Sequence, residues 1–289
     1  MASYFGYGSN LCVSDWESWC AGSGVDSGGL RFVRRAWLPD HELAFSHDSR
    51  SRGGGVLDVV RREGQVTPGG LFEVNEECGS ALDAKEGVPS AYQREEVVVL
   101  DDDGRAHEAF TYVVSASRRV GFVAPAPGYV EIVAEGCDAL GVSTKMLHAV
   151  CENATAGWEI PCVFAYGTLR TGESNHGWIE RGGGAELLGL GSVRGVLHDC
   201  GAWPAMLHGE GRVVGELWRA ESPGVLLRTL DTLEGFAGWG DSRSLFLRGL
   251  AQVEMESGEA VLAWTYRYSA SRCEGVVIPG GDWILRARE

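Results

Sequence analysis

The chain is written twice. "YFGYGSNL", Tyr4 to Leu11, returns about half a chain later as "VFAYGTLR", Val163 to Arg170, each an aromatic strand ending in Tyr-Gly-Ser/Thr. A repeat of this kind constrains the fold before any single motif does, because each copy should be one structural unit. The segments behind the two copies keep the same order. After the first come "HELAF" (His41 to Phe45), "GGVLDVV" (Gly54 to Val60), "GGLFEV" and a helix-like stretch ending "LDAKEGV" (Leu82 to Val88). After the second come "VRGVLHD", "PAMLH" (Pro204 to His208), "VVGELWRA" (Val213 to Ala220) and "LLRTLDTLEGF" (Leu226 to Phe236). Each half closes with a strand pair, "REEVVVL" and "AFTYVV", then "RGLAQVEM" and "LAWTYRY".

These runs are β-branched and aromatic, and turns such as "DDDGR" and "ESGEA" separate them, which predicts hairpins of a small closed or half-closed sheet. The 42 glycines are scattered, as many turns between strands require. In each half one helix is expected. In the second, Leu226, Leu227, Leu230 and Leu233 recur at helical spacing, and Gly235 suits the left-handed cap. Ser143 to Cys151 reads as a further helix with Ser143 as its N-cap. At 289 residues the chain has length for two cores. Periodicity breaks in "ENATAGWEIP", so the expected domains are 1–156 and 157–289.

Charge excludes some functions. The formal net charge of −15 repels a phosphate backbone, so no nucleic-acid partner is expected. The eight cysteines include no Cys-x-x-Cys and no zinc-ligand spacing, and His176, His198 and His208 form no ligand pattern, so no metal is expected. No apolar run reaches the roughly 18 residues of a membrane helix, and the first residues carry no basic-then-apolar leader, so no membrane partner and a cytoplasmic location are expected.

Two repeated features carry chemistry. The Tyr-Gly-Ser/Thr turn gathers backbone N–H groups, and Gly8 admits close approach of a ligand, a nest suited to a carboxylate. A bare structural turn is the competing reading. Gly6 and Gly8 do not open a dinucleotide loop, because no third glycine starts a helix and the following "CVSDWESW" is acidic. The second feature is Glu86 and Glu234, each before a glycine at a helix end, where the helix dipole disfavours an anion. Their matching placement makes them the best general-base candidates, although a glutamate there is otherwise an exposed cap. Ser9 lacks the His and Asp a nucleophile would need.

In order along the chain, "YFGYGSNL", "AWLPDHELAF", "GGVLDVV", "GGLFEVNEECGSALDAKEGVPSAYQREEVVV" and "PAPGYVEIVAEGCDALGV" resemble the γ-glutamylcyclotransferases. "VFAYGTLRTGESNH", "WPAMLHGEGRVVGELW", "LDTLEGF" and "IPGGDW" are similar to the γ-glutamylamine cyclotransferase and AIG2-like branch. The resemblance implies a mixed α+β fold of two tandem small β-barrels, each flanked by helices, and cofactor-independent release of 5-oxoproline from a small γ-glutamyl substrate. It implies Glu86 and Glu234 as catalytic residues and Tyr4, Phe5, Gly6, Tyr7, Gly8, Ser9 and Tyr129 around the first pocket. Around the second it implies Tyr166, Gly167, Thr168 and Leu169. The second half departs by inserting "AGWGDSRS" before "FLR" (Phe246 to Arg248), where the first has "YQR" (Tyr92 to Arg94). Open alternatives are a non-catalytic small-molecule binding module, since a fold can outlive its activity, and transfer of the γ-glutamyl group to an external amine.

Overall fold

Strands paired in one repeated order close each half into a barrel. The computed structural model describes residues 1–269 and 273–286. They divide into two compact units, Met1–Asp101 with His107–Glu159, and Asp102–Ala106 with Ile160–Glu289.

The first unit runs β1 (Ala2–Gly6), α1 (Val13–Ser23), β2 (Leu30–Ser49), β3 (Gly54–Val74), α2 (Glu76–Glu86), β4 (Tyr92–Leu100), β5 (Ala106–Val114), α3 (Pro127–Leu140) and α4 (Lys145–Cys151). Its strands close as β1-β3-β2-β4-β5, with β5 returning parallel to β1 at Tyr4 and Phe110. The second runs β6 (Cys162–Ala165), α5 (Gly177–Arg181), β7 (Ala185–Asp199), β8 (Pro204–Ala220), α6 (Pro223–Glu234), β9 (Phe246–Met255), β10 (Ala260–Tyr268) and β11 (Val276–Val277). Its order β7-β8-β6-β10-β9 is closed by β9 on β7, and β11 adds to the outer edge of β7. Strand for strand, β6, β8, β7, β9 and β10 repeat β1, β3, β2, β4 and β5. The expected mixed α+β fold of two tandem barrels is what the chain forms.

Two details differ from the sequence expectation. "HELAF", "GGVLDVV" and "GGLFEV" are not short separate strands but parts of β2 and β3, which pair through register shifts at Phe32/Arg34, Pro39/His41 and Phe45/His47. Bulges bend a long strand without ending it, so one long strand reads locally as several short runs. The helix expected from Ser143 starts at Lys145, with Thr144 at the N-cap position and Ser143 Oγ accepting from Lys145 N at 3.4 Å.

Both barrels bring the first strand close to the same glycine. A methyl at Gly69 would stand 2.4 Å from the Gly6 carbonyl oxygen and 2.6 Å from Phe5 Cζ; at Gly215 it would stand 2.5 Å from Ala165 O and 2.6 Å from Phe164 Cζ. The aromatic ring covers the glycine and the strand ends beside it. Gly69→Ala is therefore expected to destabilise the protein by about 1–3 kcal/mol through overpacking, measured by urea unfolding.

Each signature helix is fixed at both ends. Asn75 Oδ1 accepts from Cys78 N at 2.8 Å to cap α2, and Pro223 starts α6. Gly87 (φ 66°) and Gly235 (φ 63°) terminate them in the left-handed region, so Glu86 and Glu234 are the last helical residues. Leu226, Leu227 and Leu230 are fully buried on the inner face of α6.

Candidate active site

The chemistry-bearing residues meet where the first strand of each barrel ends. In the first unit the Asn10 amide, one residue beyond Ser9, donates from Nδ2 to Glu86 Oε1 at 2.8 Å and to the Tyr4 hydroxyl at 3.0 Å. The turn and the helix terminus therefore face each other. Burial pushes the Glu86 carboxyl above its ordinary range, while Lys85, the Asn10 amide and Arg52 act in the opposite direction. Burial, with the Glu86 charge adding to it, raises the Tyr4 phenol well beyond its usual value, so it stays protonated.

Behind each site a set of hydrogen bonds recurs, the tyrosine bonds with the same atoms and the arginine–aspartate bond with different ones. Tyr7 donates its hydroxyl to the Tyr112 carbonyl at 2.5 Å, and Tyr112 donates to Asp83 Oδ1 at 2.8 Å. Arg94 Nε meets the same Asp83 oxygen at 2.6 Å. In the second barrel Tyr166 donates to the Tyr266 carbonyl at 2.9 Å, Tyr266 to Asp231 Oδ1 at 2.7 Å, and Arg248 Nη1 to Asp231 Oδ2 at 2.9 Å. Asp83 and Asp231 each lie one helical turn before the glutamate, so this network sets the rotation of the helix that presents it.

The sequence-expected residues divide. Tyr7, Gly8, Ser9, Tyr129 and Glu86 gather with Tyr4. Leu57 N donates to the Tyr129 hydroxyl at 3.3 Å, and that hydroxyl lies 3.5 Å from where a Gly8 Cβ would be. Phe5 is completely buried, its ring against Tyr7 and over Gly69, and Gly6 is enclosed by the Tyr4 and Phe72 rings. Both belong to the barrel wall behind the turn. In the second unit Tyr166, Gly167, Thr168, Leu169 and Glu234 line one cavity of about 30 Å³ with Trp203 and Phe246. Phe246 stands two residues before Arg248 as Tyr92 stands before Arg94, and each is the first residue of its strand, so the inserted "AGWGDSRS" lies ahead of β9. Burial raises Glu234 to about 7, and the neighbouring Asp231 adds to it.

Sequence reading missed Asn10, Asp15, Arg52 and Lys85 in the first site and Trp203 in the second. Lys85 Nζ donates to Asn10 Oδ1 and to Asp15 Oδ2, both at 2.8 Å, which fixes the amide so that its NH2 faces Glu86. The second site has Leu169 where the first has Asn10. Among the described residues no cluster suits a metal ion, and no helix is long and apolar enough to cross a membrane.

The family described as "Gamma-glutamyl cyclotransferase, AIG2-like" matches residues 163–285, and the AIG2-like family matches residues 68–149. Over 112 residues the chain is 43% identical to the γ-L-glutamyl-butirosin B γ-glutamyl cyclotransferase of Niallia circulans, covering 38% of this chain and 68% of that protein. It is 31% identical over 125 residues to the γ-glutamylcyclotransferase family protein YtfP of Escherichia coli K12, covering 43% of this chain and 96% of the relative. The chain belongs to the γ-glutamylcyclotransferase family of enzymes. Among solved structures, a γ-glutamyl cyclotransferase aligns with a TM-score of 0.46 at 22% identity, covering 54% of this chain and 89% of its own. YkqA of Bacillus subtilis aligns with a TM-score of 0.36 at 16% identity, covering 94% and 86%. In this member of the family, the two candidate sites share a helix-end glutamate and a strand-end turn but differ in the charges around them.

Proposed function

We propose that each barrel cyclises a γ-glutamyl amide, with Glu86 and Glu234 as the bases. The observation that carries this reading is the raised, helix-terminal carboxyl that faces or shares a cavity with the Tyr-Gly-Ser/Thr turn in both units. The substrate α-amine attacks its own γ-carbonyl; the C–N bond of the lactam forms, the bond to the leaving amine breaks, and 5-oxoproline departs. Holding that near-attack fold lowers the barrier by about 7–11 kcal/mol. The turn amides of Tyr7 to Ser9 hold the α-carboxylate, while Glu86 takes a proton from the α-ammonium and returns it to the leaving nitrogen. Tyr166 to Leu169 and Glu234 take the same roles in the second barrel.

The butirosin relative, by its name, acts on a γ-glutamylated product, which supports removal of a γ-glutamyl protecting group from a biosynthetic intermediate as the task. The test is direct. The full chain is incubated with γ-glutamyl dipeptides and γ-glutamylamines, and 5-oxoproline is assayed. A new amide in place of the lactam would indicate transfer to an external amine, and no product across the panel would indicate a binding module.

The pH response follows from the base. In a Glu86→Gln protein, turnover comes from the second site, and Glu234 must be ionised to accept a proton. Its kcat/KM should rise with pH to half its plateau near pH 7. A profile flat from pH 5 to 8 would contradict the assignment.

A further inference from the structure

We propose that Arg52 is a specificity residue of the first site, seating a carboxylate of the substrate beside the Tyr-Gly-Ser turn. The inference rests on the cyclotransferase reading of that site.

Arg52 lies in the turn between β2 and β3, which Ser49 and Gly54 close as a strand pair. Its guanidinium forks onto Asp15, Nη1 to Oδ1 and Nη2 to Oδ2, both at 2.7 Å. Such a bidentate clamp fixes the plane of the group and leaves it a rigid donor. Nη2 also reaches Ser9 Oγ at 3.2 Å, on the turn that carries the amide nest, and the guanidinium carbon stands 5.6 Å from the Tyr129 ring centroid. The side chain is one-quarter exposed, so the cation is half-enclosed and still open to a ligand.

Charge counting points the same way. Asp15 is held by two cations, Arg52 and Lys85, so this trio carries one positive charge beyond its own carboxylate. Although burial pushes the Asp15 carboxyl up, hydrogen bonds from Arg52 and Lys85 bring it down to about 2, so the aspartate is ionised throughout the working range. An ionised Glu86 offsets the surplus. Once Glu86 takes the proton of the α-ammonium, the offset is gone and the surplus charge faces an anionic substrate at the moment of ring closure.

The second barrel supplies the contrast. Its matching turn, closed by Asp199 and Pro204, has the same length and places Trp203 at the cavity with Glu234. Where the first site has a clamped cation, the second has an indole. The two turns occupy one topological position, so the sites differ in charge at matching turns.

The shared chemistry is a carboxylate, and it has two sources: the α-carboxylate of the glutamyl group or the carboxylate of an amino acid that leaves. A Glu234→Gln protein, in which turnover comes from the first site, separates them with three substrates. γ-Glutamyl-alanine carries both carboxylates, γ-glutamyl-ethylamide only the first, and 4-aminobutanoyl-alanine only the second; the last closes to 2-pyrrolidinone. Adding Arg52→Met should lower kcat/KM about ten- to a hundredfold for substrates that carry the seated carboxylate and less than about threefold for the one that lacks it. A loss on γ-glutamyl-ethylamide alone among the two single-carboxylate substrates assigns the α-carboxylate; a loss on 4-aminobutanoyl-alanine alone assigns the leaving group. Equal losses on all three, or none, overturn the proposal. Because Arg52→Met leaves Asp15 with Lys85, the fold should persist; if the melting temperature drops, Arg52→Lys, which keeps the charge and loses the fork, repeats the comparison.

Failure of the underlying reading looks different: the Glu234→Gln parent then releases no lactam from any of the three. In that event calorimetric binding of γ-glutamyl-alanine to the parent and to its Arg52→Met derivative still decides whether Arg52 holds a carboxylate, since the proposal requires at least tenfold weaker binding by the derivative.

Discussion

On the proposed function, Glu86→Gln and Glu234→Gln should each remove one of two independent 5-oxoproline-forming activities, and the double variant should form none above background. The amide keeps the shape of the carboxylate, and in the first site Asn10 Nδ2 can still donate to the side-chain carbonyl of the Glu86→Gln variant as it does to Glu86 Oε1 at 2.8 Å. What vanishes is the ability to accept a proton from the α-ammonium and hand it on, a loss of about 10²–10⁴ in kcat at the affected site. Measuring 5-oxoproline for each single variant and for the pair decides the matter. If either single substitution abolished all turnover, two independent sites would be excluded. The Glu234 variant has a second readout. The folded carboxyl titrates at about 7 against an ordinary 4.5, so its contribution to stability is complete below the unfolded value and is lost as pH rises through 7. Glu234→Gln should therefore melt higher than the parent at pH 8 and match it at pH 4.5.

Asp231→Ala should cost about 3–5 kcal/mol of stability in the second barrel, whereas Asp83→Ala should cost about 1 kcal/mol in the first. Both aspartates make the same bonds, to a tyrosine hydroxyl and an arginine. Solvent access differs. The Arg248 side chain is 4% exposed and flanked by the rings of Phe236, Trp239 and Trp264, while Arg94 and Asp83 are 37% and 36% exposed. Removing Asp231, itself 21% exposed, takes a carboxylate from a guanidinium that meets little water, whereas water readily replaces Asp83. Differential scanning calorimetry of the full-length variants measures both. Equal shifts would show that burial does not set the strength of this network.

Much of the molecule was readable from local pattern. The repeat announced two units, hairpin signals announced strands, and Gly87 and Gly235 marked where the helices stop. Glu86 and Glu234 stood out because a carboxylate at a helix C-terminus opposes the dipole unless something requires it. The long strands were not readable, since a bulged strand reads locally as several short runs. Arg52 was invisible as a site residue: beside Arg50 on a glycine-rich turn it reads as a solvated surface charge. Asn10 and Lys85 had no periodic or motif signal tying them together, being 75 positions apart in the chain.

Residue order alone established the doubled unit, the strand-forming runs and the two glutamates at helix ends, because each is read from a short run of residues or from its recurrence along the chain. The folded chain alone established that a clamped arginine and a buried amide attend one glutamate while an indole, a leucine and an aspartate attend the other. Solvation and charge balance depend on which distant strands and turns meet in space, and that is written in no short stretch of either copy.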